Sequence, residues 1–414
     1  MLNALSVAVV LITAMYLWMN GPFNFILEET FMKGTLLVDK IFVDKSDLPY
    51  QIDDVLFIDV AQSKSIVRDS TGTHVMADRA RLDTLFQLIH QHGNANQIIV
   101  CDLYFDYPSP QDSALQVSMG KVNNLLSEVK TNREQDITPN VIRAGTSGTS
   151  GFTNLKEPFL IFSNSLLKFR LTDKNCVKTL PLLIYEKIHH ESISCERNAL
   201  HIGNDWFFNT ILIKEQLALK ANNVFMDEVR PIQRLLNAVK ANQPEYIAEL
   251  RDKKFIVIGD FREDVHKTTL GDKPGPLIIF DVFLSLQKKE NKIGTLWLAL
   301  SVVFLTVHIY KKFYHVNLFI RYNRWLNQQI KFLGFKRPIK FNWLLFYLYV
   351  LGSAILFKVY LEVVAGILFF IALAWLRIYV KTRIFKWKRL QDSGARLNLP
   401  VLISFIFKKP GFKN

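Results

Sequence analysis

The stretch from Lys253 to Leu286, KKFIVIGDFREDVHKTTLGDKPGPLIIFDVFLSL, constrains the fold of this chain more than any other. Its apolar run from Phe255 to Ile258 is short and rich in β-branched residues, which predicts a strand buried on both faces. A polar loop and a Pro-Gly-Pro turn follow, and the next apolar stretch, Leu277 to Leu286, predicts a helix. A long apolar segment begins soon afterwards at Ile293. The sequence thus predicts a polar loop that lies one helix away from a membrane span.

Two further apolar runs, Val55 to Val60 and Ile98 to Leu103, predict the other central strands. Between them, apolar residues recur at helical spacing and predict an amphipathic helix over Ala77 to His92. A strand, a helix and a strand in this order indicate a right-handed βαβ unit and a largely parallel or mixed sheet. The remaining predicted elements are helices over Asp112 to Val129 and Asp227 to Leu250 and strands over Phe159 to Phe162 and Leu180 to Ile184.

Apolar segments at both ends of the chain predict four transmembrane helices. Half of the residues are hydrophobic, and the mean hydropathy of +0.13 is high for a chain of this length without membrane segments. Residues 311–414 hold 19 Lys and Arg against two acidic residues, and basic loops of membrane proteins face the cytoplasm. The predicted spans are Leu2 to Met19, Ile293 to Tyr310, Asn342 to Phe357 and Val359 to Val380.

Together these features predict an α/β extracytoplasmic domain with a largely parallel or mixed sheet, plus four transmembrane α-helices. The charge pattern predicts a multi-pass membrane protein with both termini in the cytoplasm. The predicted parts are an N-terminal transmembrane anchor (1–22), an extracytoplasmic sensory domain (23–292), a transmembrane helix (293–310), a basic cytoplasmic loop (311–341), a transmembrane hairpin (342–380) and a basic cytoplasmic tail (381–414).

Three of the predicted strands end in carboxylates, which indicates a candidate ligand site. In a parallel sheet the carboxyl ends of the strands lie side by side, and ligands bind at that edge. Converging carboxylates there could hold a hard cation or a polyol-like or cationic ligand, although Asp is also common in turns and helix caps. The candidate ligand-binding residues are Asp59, Asp102, Asp106, Asp260, Asp264 and Thr268.

Signals of catalysis and of nucleic-acid binding are weak. The chain has no H-E-x-x-H, Walker or G-x-S-x-G motif, and His266 in the polar loop has no partner motif, so neither an enzyme nor a cofactor is predicted. The basic, aromatic segment 311–341 adjoins predicted spans, and contact with anionic lipid headgroups explains it better than nucleic acid does. A metal-dependent hydrolase that uses the strand-end carboxylates is the weakest alternative.

The chain has three cysteines, Cys101, Cys176 and Cys195. Cys101 falls in an apolar run, where a buried free thiol is expected. Cys176 and Cys195 form a candidate disulfide if this part of the chain faces an oxidising compartment, but their spacing alone does not establish the bond.

Four segments carry a resemblance to a known family. They are VLFIDVA (55–61), IIVCDLYFDYPSPQDSAL (98–115), RLTDKNCVKTLPLL (170–183) and LRDKKFIVIGDFREDVHKTTLGDKPGPLIIFDVFL (250–284). Their order resembles the CHASE domain of the second type, an extracytoplasmic sensory domain of bacterial membrane receptors. Family members typically have one span before the domain and three after it, and they usually work as dimers, so the resemblance implies a homodimer here.

The sequence also departs from that family. Leu277 to Ile279 stand where the family often has a His, and VRDSTGTHV (67–75) replaces its tryptophan-proline turn. Family members usually continue into a kinase or cyclase, for which the predicted tail of 34 residues is too short. The resemblance therefore implies a sensor in the bacterial inner membrane that binds a small ligand or an envelope protein and acts through a separate cytoplasmic effector. The alternative is a non-sensing scaffold that docks an envelope protein.

Overall fold

The computed structural model of the chain describes residues 2–20, 29–30, 32–36, 50–69, 72–131, 137–138, 141–142, 145–148, 166–173, 175–196, 199–216, 228–314 and 341–361. Its principal helices are α1 (Leu2–Met19), α2 (Arg79–His92), α3 (Asp112–Gly120), α4 (Leu180–His189), α5 (Ile232–Lys240), α6 (Pro244–Asp252), α7 (Gly275–Gln287), α8 (Thr295–Tyr314) and α9 (Phe341–Phe357).

The strands form one large sheet and several small ones. Those of the large sheet are β1 (Val55–Asp59), β4 (Ile98–Asp102), β5 (Leu125–Glu128), β8 (Thr146–Gly148), β14 (Val229–Pro231) and β15 (Phe255–Gly259). The others are β2 (Lys64–Asp69), β3 (Gly72–Ala77), β6 (Lys130–Thr131), β7 (Ile137–Thr138), β9 (Lys168–Arg170), β10 (Ile193–Glu196), β11 (Ala199–Ile202), β12 (Asp205–Phe208), β13 (Thr210–Leu212), β16 (Val265–Thr268) and β17 (Gly271–Pro274).

The large sheet has the strand order β14-β1-β15-β4-β5-β8, and each strand pairs with its neighbours in parallel. β1, β4 and β15 are buried along their whole length. Strands that are covered on both faces have nearly continuous apolar sequences, which is why these three were recognisable in the sequence. The described fold is thus an α/β fold built on the parallel sheet that the sequence predicted.

Helices cover both faces of this sheet. Val55 and Phe57 of β1 point to one face and pack with α4 and α7. Their neighbours Leu56 and Ile58 point to the other face and pack with α2, α3, α5 and α6. Because fully burying one such side chain stabilises the fold by about 1.5–3 kcal/mol, the two cores hold the sheet firmly between its helical layers.

Helices α1, α8 and α9 pack on one another beside the α/β core. The ring of Tyr16 in α1 lies 5.5 Å from that of Phe208, which in turn meets the ring of Trp297 in α8 edge to face at 6.0 Å. Trp297 Nε1 donates a hydrogen bond of 2.7 Å to Ser353 Oγ in α9. These contacts connect the three helices to the turn that follows β12.

The predicted transmembrane helices are contradicted by the structure. Among the helices of the described segments, none combines the length and the apolar character that crossing a membrane requires. The predicted location, a multi-pass protein of the bacterial inner membrane, is wrong by the same finding. Some apolar residues of these segments are buried within the protein, among them Ala8, Leu11, Leu305, Ile309, Val350 and Ala354. Hydropathy along a sequence does not distinguish an apolar helix that packs against other helices of the protein from a membrane span.

One predicted strand is a helix in the structure. The run Leu180 to Ile184 forms the first half of α4, and all five residues are buried. Pro181 lies in the first turn, where its missing N–H leaves no helical hydrogen bond unmade. A short apolar run that is buried all round has no period from which a strand and a helix can be told apart.

Two predicted helices are shorter than expected. The one over Asp112 to Val129 ends at Gly120 in α3, and β5 follows after Asn124, whose φ is +53°. The one over Asp227 to Leu250 is divided into β14, α5 and α6. Asn242, with a φ of +54°, separates the two helices, because a left-handed residue cannot continue a right-handed helix.

Several predictions fall on residues outside the described segments. They are the strand Phe159 to Phe162, residues 315–340 of the basic loop, residues 362–380 of the transmembrane hairpin and the tail 381–414.

Candidate functional site

The carboxyl edge of the parallel sheet brings acidic residues together. Asp59 of β1 is in register with Gly259 of β15, and Gly259 is in register with Asp102 of β4. Cys101 pairs with Ser127, which puts Glu128 of β5 beside Asp102. Residues in register on parallel strands point to the same face, so the side chains of Asp102 and Glu128 both point toward the layer of α4 and α7.

Asp102 and Glu128 form a buried carboxyl pair. Their side chains belong to residues that are only 7% and 2% exposed. Burial, the charge of Glu128 and the hydrogen bond with Glu128 raise the pKa of Asp102 well above its ordinary value, and the charge of Asp264 raises it further. Two carboxyl groups this close and this buried do not both ionise, so the pair holds one shared proton. Asp102 Oδ2 has no hydrogen-bond partner within the described residues.

The first turn of α7 lies directly over this pair. The N–H of Gly275 donates a hydrogen bond of 2.8 Å to the backbone oxygen of Asp264. A Cβ on Gly275 would overlap Asp264 Oδ2 and would lie 3.5 Å from Asp102 Oδ2, so the two carboxylates meet at this glycine. The N-terminus of a helix favours negative charge. The start of α7 therefore places the positive end of its helix dipole beside these carboxyl groups.

Gly259 permits α7 to lie this close to the sheet. A Cβ at this position would overlap Cγ of Pro276, the second residue of α7. The glycine in FIVIG is thus required by a close approach between a strand end and a helix start.

The β16–β17 hairpin forms the outer side of the site. His266 Nε2 lies 3.1 Å from Asp264 Oδ1, and their side chains are 16% and 42% exposed. Exposure thus increases from Glu128 and Asp102 through His266 to Asp264. A ligand that approaches from solvent would meet Asp264 first and the carboxyl pair last.

Asp59, Asp260 and Thr268 have structural partners in the loops. Asp59 Oδ1 accepts hydrogen bonds from the N–H groups of Ala61 and Phe261, and Asp59 Oδ2 is 3.2 Å from Arg262 Nε. The Thr268 hydroxyl donates to Gly271 O at 2.6 Å and accepts from Leu270 N, which closes the hairpin turn. These contacts account for Asp59 and Thr268 without a ligand.

Asp260 is held in a turn as well. Burial raises its pKa, but hydrogen bonds from the N–H groups of Glu263 and Arg262, together with Lys64 at 2.9 Å, outweigh burial and hold the pKa of Asp260 below its usual value. Asp106 belongs to another group, because its charge acts on Arg79 together with that of Asp112. Of the six predicted site residues, the structure therefore brings together Asp102 and Asp264.

Sequence reasoning missed Glu128 and Gly275. The sequence pattern predicts a helix at Glu128, whereas this residue ends the short buried strand LLSE. The break at Gly120 followed by an apolar run that ends in a carboxylate was the signal that could have identified it. Gly275 was noted only as part of a turn, and its role follows from the packing of α7.

The arrangement suits a ligand that donates hydrogen bonds. Within the described segments, no group of three or more His, Cys, Asp or Glu side chains is arranged to hold a metal ion. A carboxyl pair with one shared proton, next to the partly exposed carboxylate of Asp264, can accept hydrogen bonds from ammonium, guanidinium or hydroxyl groups.

Of the three cysteines, Cys101 directly precedes Asp102 in β4, and the other two form a disulfide. Cys176 and Cys195 are joined by a disulfide with a Cα–Cα distance of 5.7 Å, which connects the segment before α4 to β10. Cys101 is buried in β4, and its burial raises the pKa of the thiol. A buried thiol with a raised pKa is unreactive.

Comparison with known proteins gives no relative for this chain: no family model, no curated protein and no solved structure matches it. The resemblance to the CHASE domain of the second type thus stays a prediction.

Proposed function

We propose that this chain is a sensory protein whose α/β domain binds a small cationic or polyol-like ligand at the carboxyl edge of the sheet. The observation that carries the proposal is the buried Asp102–Glu128 pair, which meets the partly exposed Asp264 at the first turn of α7. Ligands of parallel α/β sheets bind at this edge. The resemblance to a sensory domain supports the same function.

A donor-rich cation fits the charges of the site. An ammonium or guanidinium group that enters from the side of Asp264 would offset the charge of that carboxylate and donate to Asp102 Oδ2, which has no hydrogen-bond partner in the described structure. Charge-assisted hydrogen bonds of this kind are about twice as strong as those between neutral groups. A polyol would donate a hydroxyl hydrogen bond to the same oxygen. Because a polyol is uncharged, the positive end of the α7 dipole alone would then offset the charge of Asp264.

Helix α7 provides a physical route from this site to the three-helix group. Its N-terminus contacts the carboxylates, and Asp281 in its middle forms a buried ion pair with Lys273 of β17 at 3.1 Å. After its C-terminus, Asn291 bonds to the chain at Lys358 and Thr210. A displacement of α7 on ligand binding would therefore move the start of α8. Transmission requires that the ligand bind two positions of α7 with different affinity. The signal would then pass to a separate effector protein.

The experiment uses the purified full chain and a panel of probes: ethanolamine, putrescine, spermidine, arginine and glycerol. We expect at least one amine to raise the melting temperature, and calorimetry then gives its affinity. Asp264→Asn and Asp102→Asn should each weaken that binding at least about tenfold, which corresponds to the loss of one charge-assisted contact. Glu263→Gln is the matched control, because Glu263 is exposed, adjacent to Asp264 and paired with Lys64.

Binding that is equally strong in Asp102→Asn, Asp264→Asn and Glu263→Gln would place the ligand elsewhere and would contradict the proposed site. A panel that gives no shift, with the native chain folded, would contradict the proposed ligand class.

A scaffold is the second candidate function. Its support is a set of large apolar side chains exposed on α1 and α8, namely Leu5, Val9, Val10, Leu17, Leu296, Leu300, Val303 and Val307. Contiguous exposed apolar surface commonly marks contact with another protein. Affinity purification followed by mass spectrometry separates the two functions, because a scaffold retains its partner in the Asp264→Asn variant with and without amine.

A further inference from the structure

A cavity lies between α1, α8 and α9, and none of its lining residues belongs to the acidic site. Its volume is about 170 Å³, and its walls are almost entirely apolar. Met15 and Tyr16 of α1 form one side, and Trp297 and Leu298 of α8 form the other. Phe208, at the end of β12, closes the side toward the α/β core.

Several polar groups in the wall of this cavity have hydrogen-bond partners within the protein. Ser301 Oγ donates to Trp297 O at 2.7 Å and accepts from the Tyr349 hydroxyl at 2.8 Å. The Thr13 hydroxyl donates to Val9 O at 3.0 Å, and the Trp297 indole N–H donates to Ser353 Oγ. A ligand in this cavity thus gains nothing from polar groups and would lose the hydration of any charge it carried.

The size and the wall of the cavity define the ligand more closely. A cavity of about 150 Å³ lined by Leu, Ile and Phe binds benzene, so the present one accommodates a single six-membered ring with a small substituent. Its aromatic walls, Tyr16, Phe208, Trp297 and Tyr349, favour offset or edge-to-face contacts with a flat ring. The cavity is also accessible, because Leu298 at its mouth is 39% exposed.

We propose that this cavity is a binding site for a small uncharged aromatic molecule of about the size of toluene. The site is independent of the carboxylates, since it shares no residue with them. Ile293 and Trp297 line the cavity and belong to the segment that follows α7. A molecule bound in the cavity would therefore contact α8, the helix that follows α7.

The experiment measures the binding of toluene to the purified full chain by saturation-transfer NMR and by calorimetry. We expect saturable binding with the native chain. Leu298→Trp, which puts a ring into the mouth, should weaken that binding at least about tenfold. Leu300→Trp is the matched control, because Leu300 is 48% exposed, lies two residues away on the same helix and does not line the cavity. Its affinity for toluene should equal that of the native chain.

A second variant tests the cavity in a way that does not depend on the folding of Leu298→Trp. Met15→Ala enlarges the cavity, so naphthalene should bind this variant more tightly, relative to toluene, than it binds the native chain. Equal affinity for toluene in Leu298→Trp and Leu300→Trp would overturn the proposal. So would binding of octanoate but not of toluene, because the site would then accept an acyl chain instead of a ring.

Discussion

Among single residues, Asp102 determines the charge of the acidic site. Its raised pKa, which is caused first by burial and then by Glu128, means that the folded chain releases the proton of Asp102 at a higher pH than the unfolded chain does. A group of this kind contributes full stability below its unfolded pKa, about 3.9 for Asp, and that contribution is lost as the pH rises through the folded pKa. The native fold therefore becomes less stable as the pH rises above about 4 on account of this residue.

Asp102→Asn should remove that pH dependence. Asn is neutral and can donate to Glu128 as the protonated Asp102 does, so the variant should match the native chain near pH 4. Toward neutral pH it should become more stable than the native chain, because the native chain then loses the contribution of the protonated Asp102 while the neutral Asn does not titrate. Urea unfolding between pH 4 and 8 measures the difference. Asp272→Asn, an exposed position of the same hairpin region, is the control. A constant difference between Asp102→Asn and the native chain across this range would contradict the shared proton.

The sequence identified part of this site because Asp102 directly follows a buried apolar run. The same local pattern also precedes Asp59 and Asp260, yet the backbone N–H groups of their own loops occupy those carboxylates. Only the register of β4 with β5 brings Glu128 to Asp102, and register is not a local property of the sequence. The sequence alone therefore does not distinguish Asp102, which lies in the site, from Asp59 and Asp260, which are bonded within their own loops.

Among the elements, the contact of β15 with α7 positions the site. Gly259→Ala should destabilise the chain by about 1–3 kcal/mol, the usual cost of an overpacked core position, because the added methyl group overlaps Pro276. Thermal or urea unfolding measures the cost. Gly120→Ala is the matched control, since nothing lies within 4 Å of a Cβ there, and a helical Ala should leave stability unchanged or raise it by up to about 1 kcal/mol.

A second effect of Gly259→Ala shows whether the substitution displaces α7 or only lowers the stability of the fold. If Gly259 sets the distance of α7 from the sheet, Gly259→Ala should also weaken the amine that binds at Asp264, at temperatures where the variant is fully folded. Unchanged stability in Gly259→Ala would show that Pro276 yields to the methyl group and that the close approach is not required.

The elements that the sequence predicted well are those with a clear pattern. The strands β1, β4 and β15 are continuous apolar runs, and α2 has its apolar residues at helical spacing. The run at Leu180 is also continuous and apolar, but it forms a helix without the helical spacing of apolar residues, since every residue of the first half of α4 is buried. Tertiary burial on all sides removes the period that reveals a helix.

For the whole molecule, a buried polar network connects α7 to the segments around α8 and α9. Lys214 Nζ lies 3.0 Å from Glu290 Oε1 and also bonds to the Tyr360 hydroxyl. Gln216 joins this ion pair to α7, because its side-chain amide donates to both Ser285 and Glu290. The hydropathy of the segments around α8 and α9 predicts membrane helices. The residues of the network are too distant along the chain for local sequence patterns to predict their contacts.

This network allows a test of whether α7 and its surroundings act as one unit. Lys214 and Glu290 are each only 4% exposed, so removing one partner leaves a buried, uncompensated charge and should cost about 3–5 kcal/mol. Lys214→Met combined with Glu290→Gln removes both charges, and the double variant should be more stable than the sum of the single effects predicts by about 2 kcal/mol or more. Urea unfolding of the four proteins gives this coupling energy. The exposed pair Lys254 and Asp54, treated in the same way, should give less than about 1 kcal/mol.

Because Gln216 also bonds α7, the amine affinity at Asp264 should fall in Glu290→Gln and return toward the native value in the double variant. Strictly additive stabilities with an unchanged amine affinity would mean that the network holds the fold together without linking the acidic site to α8.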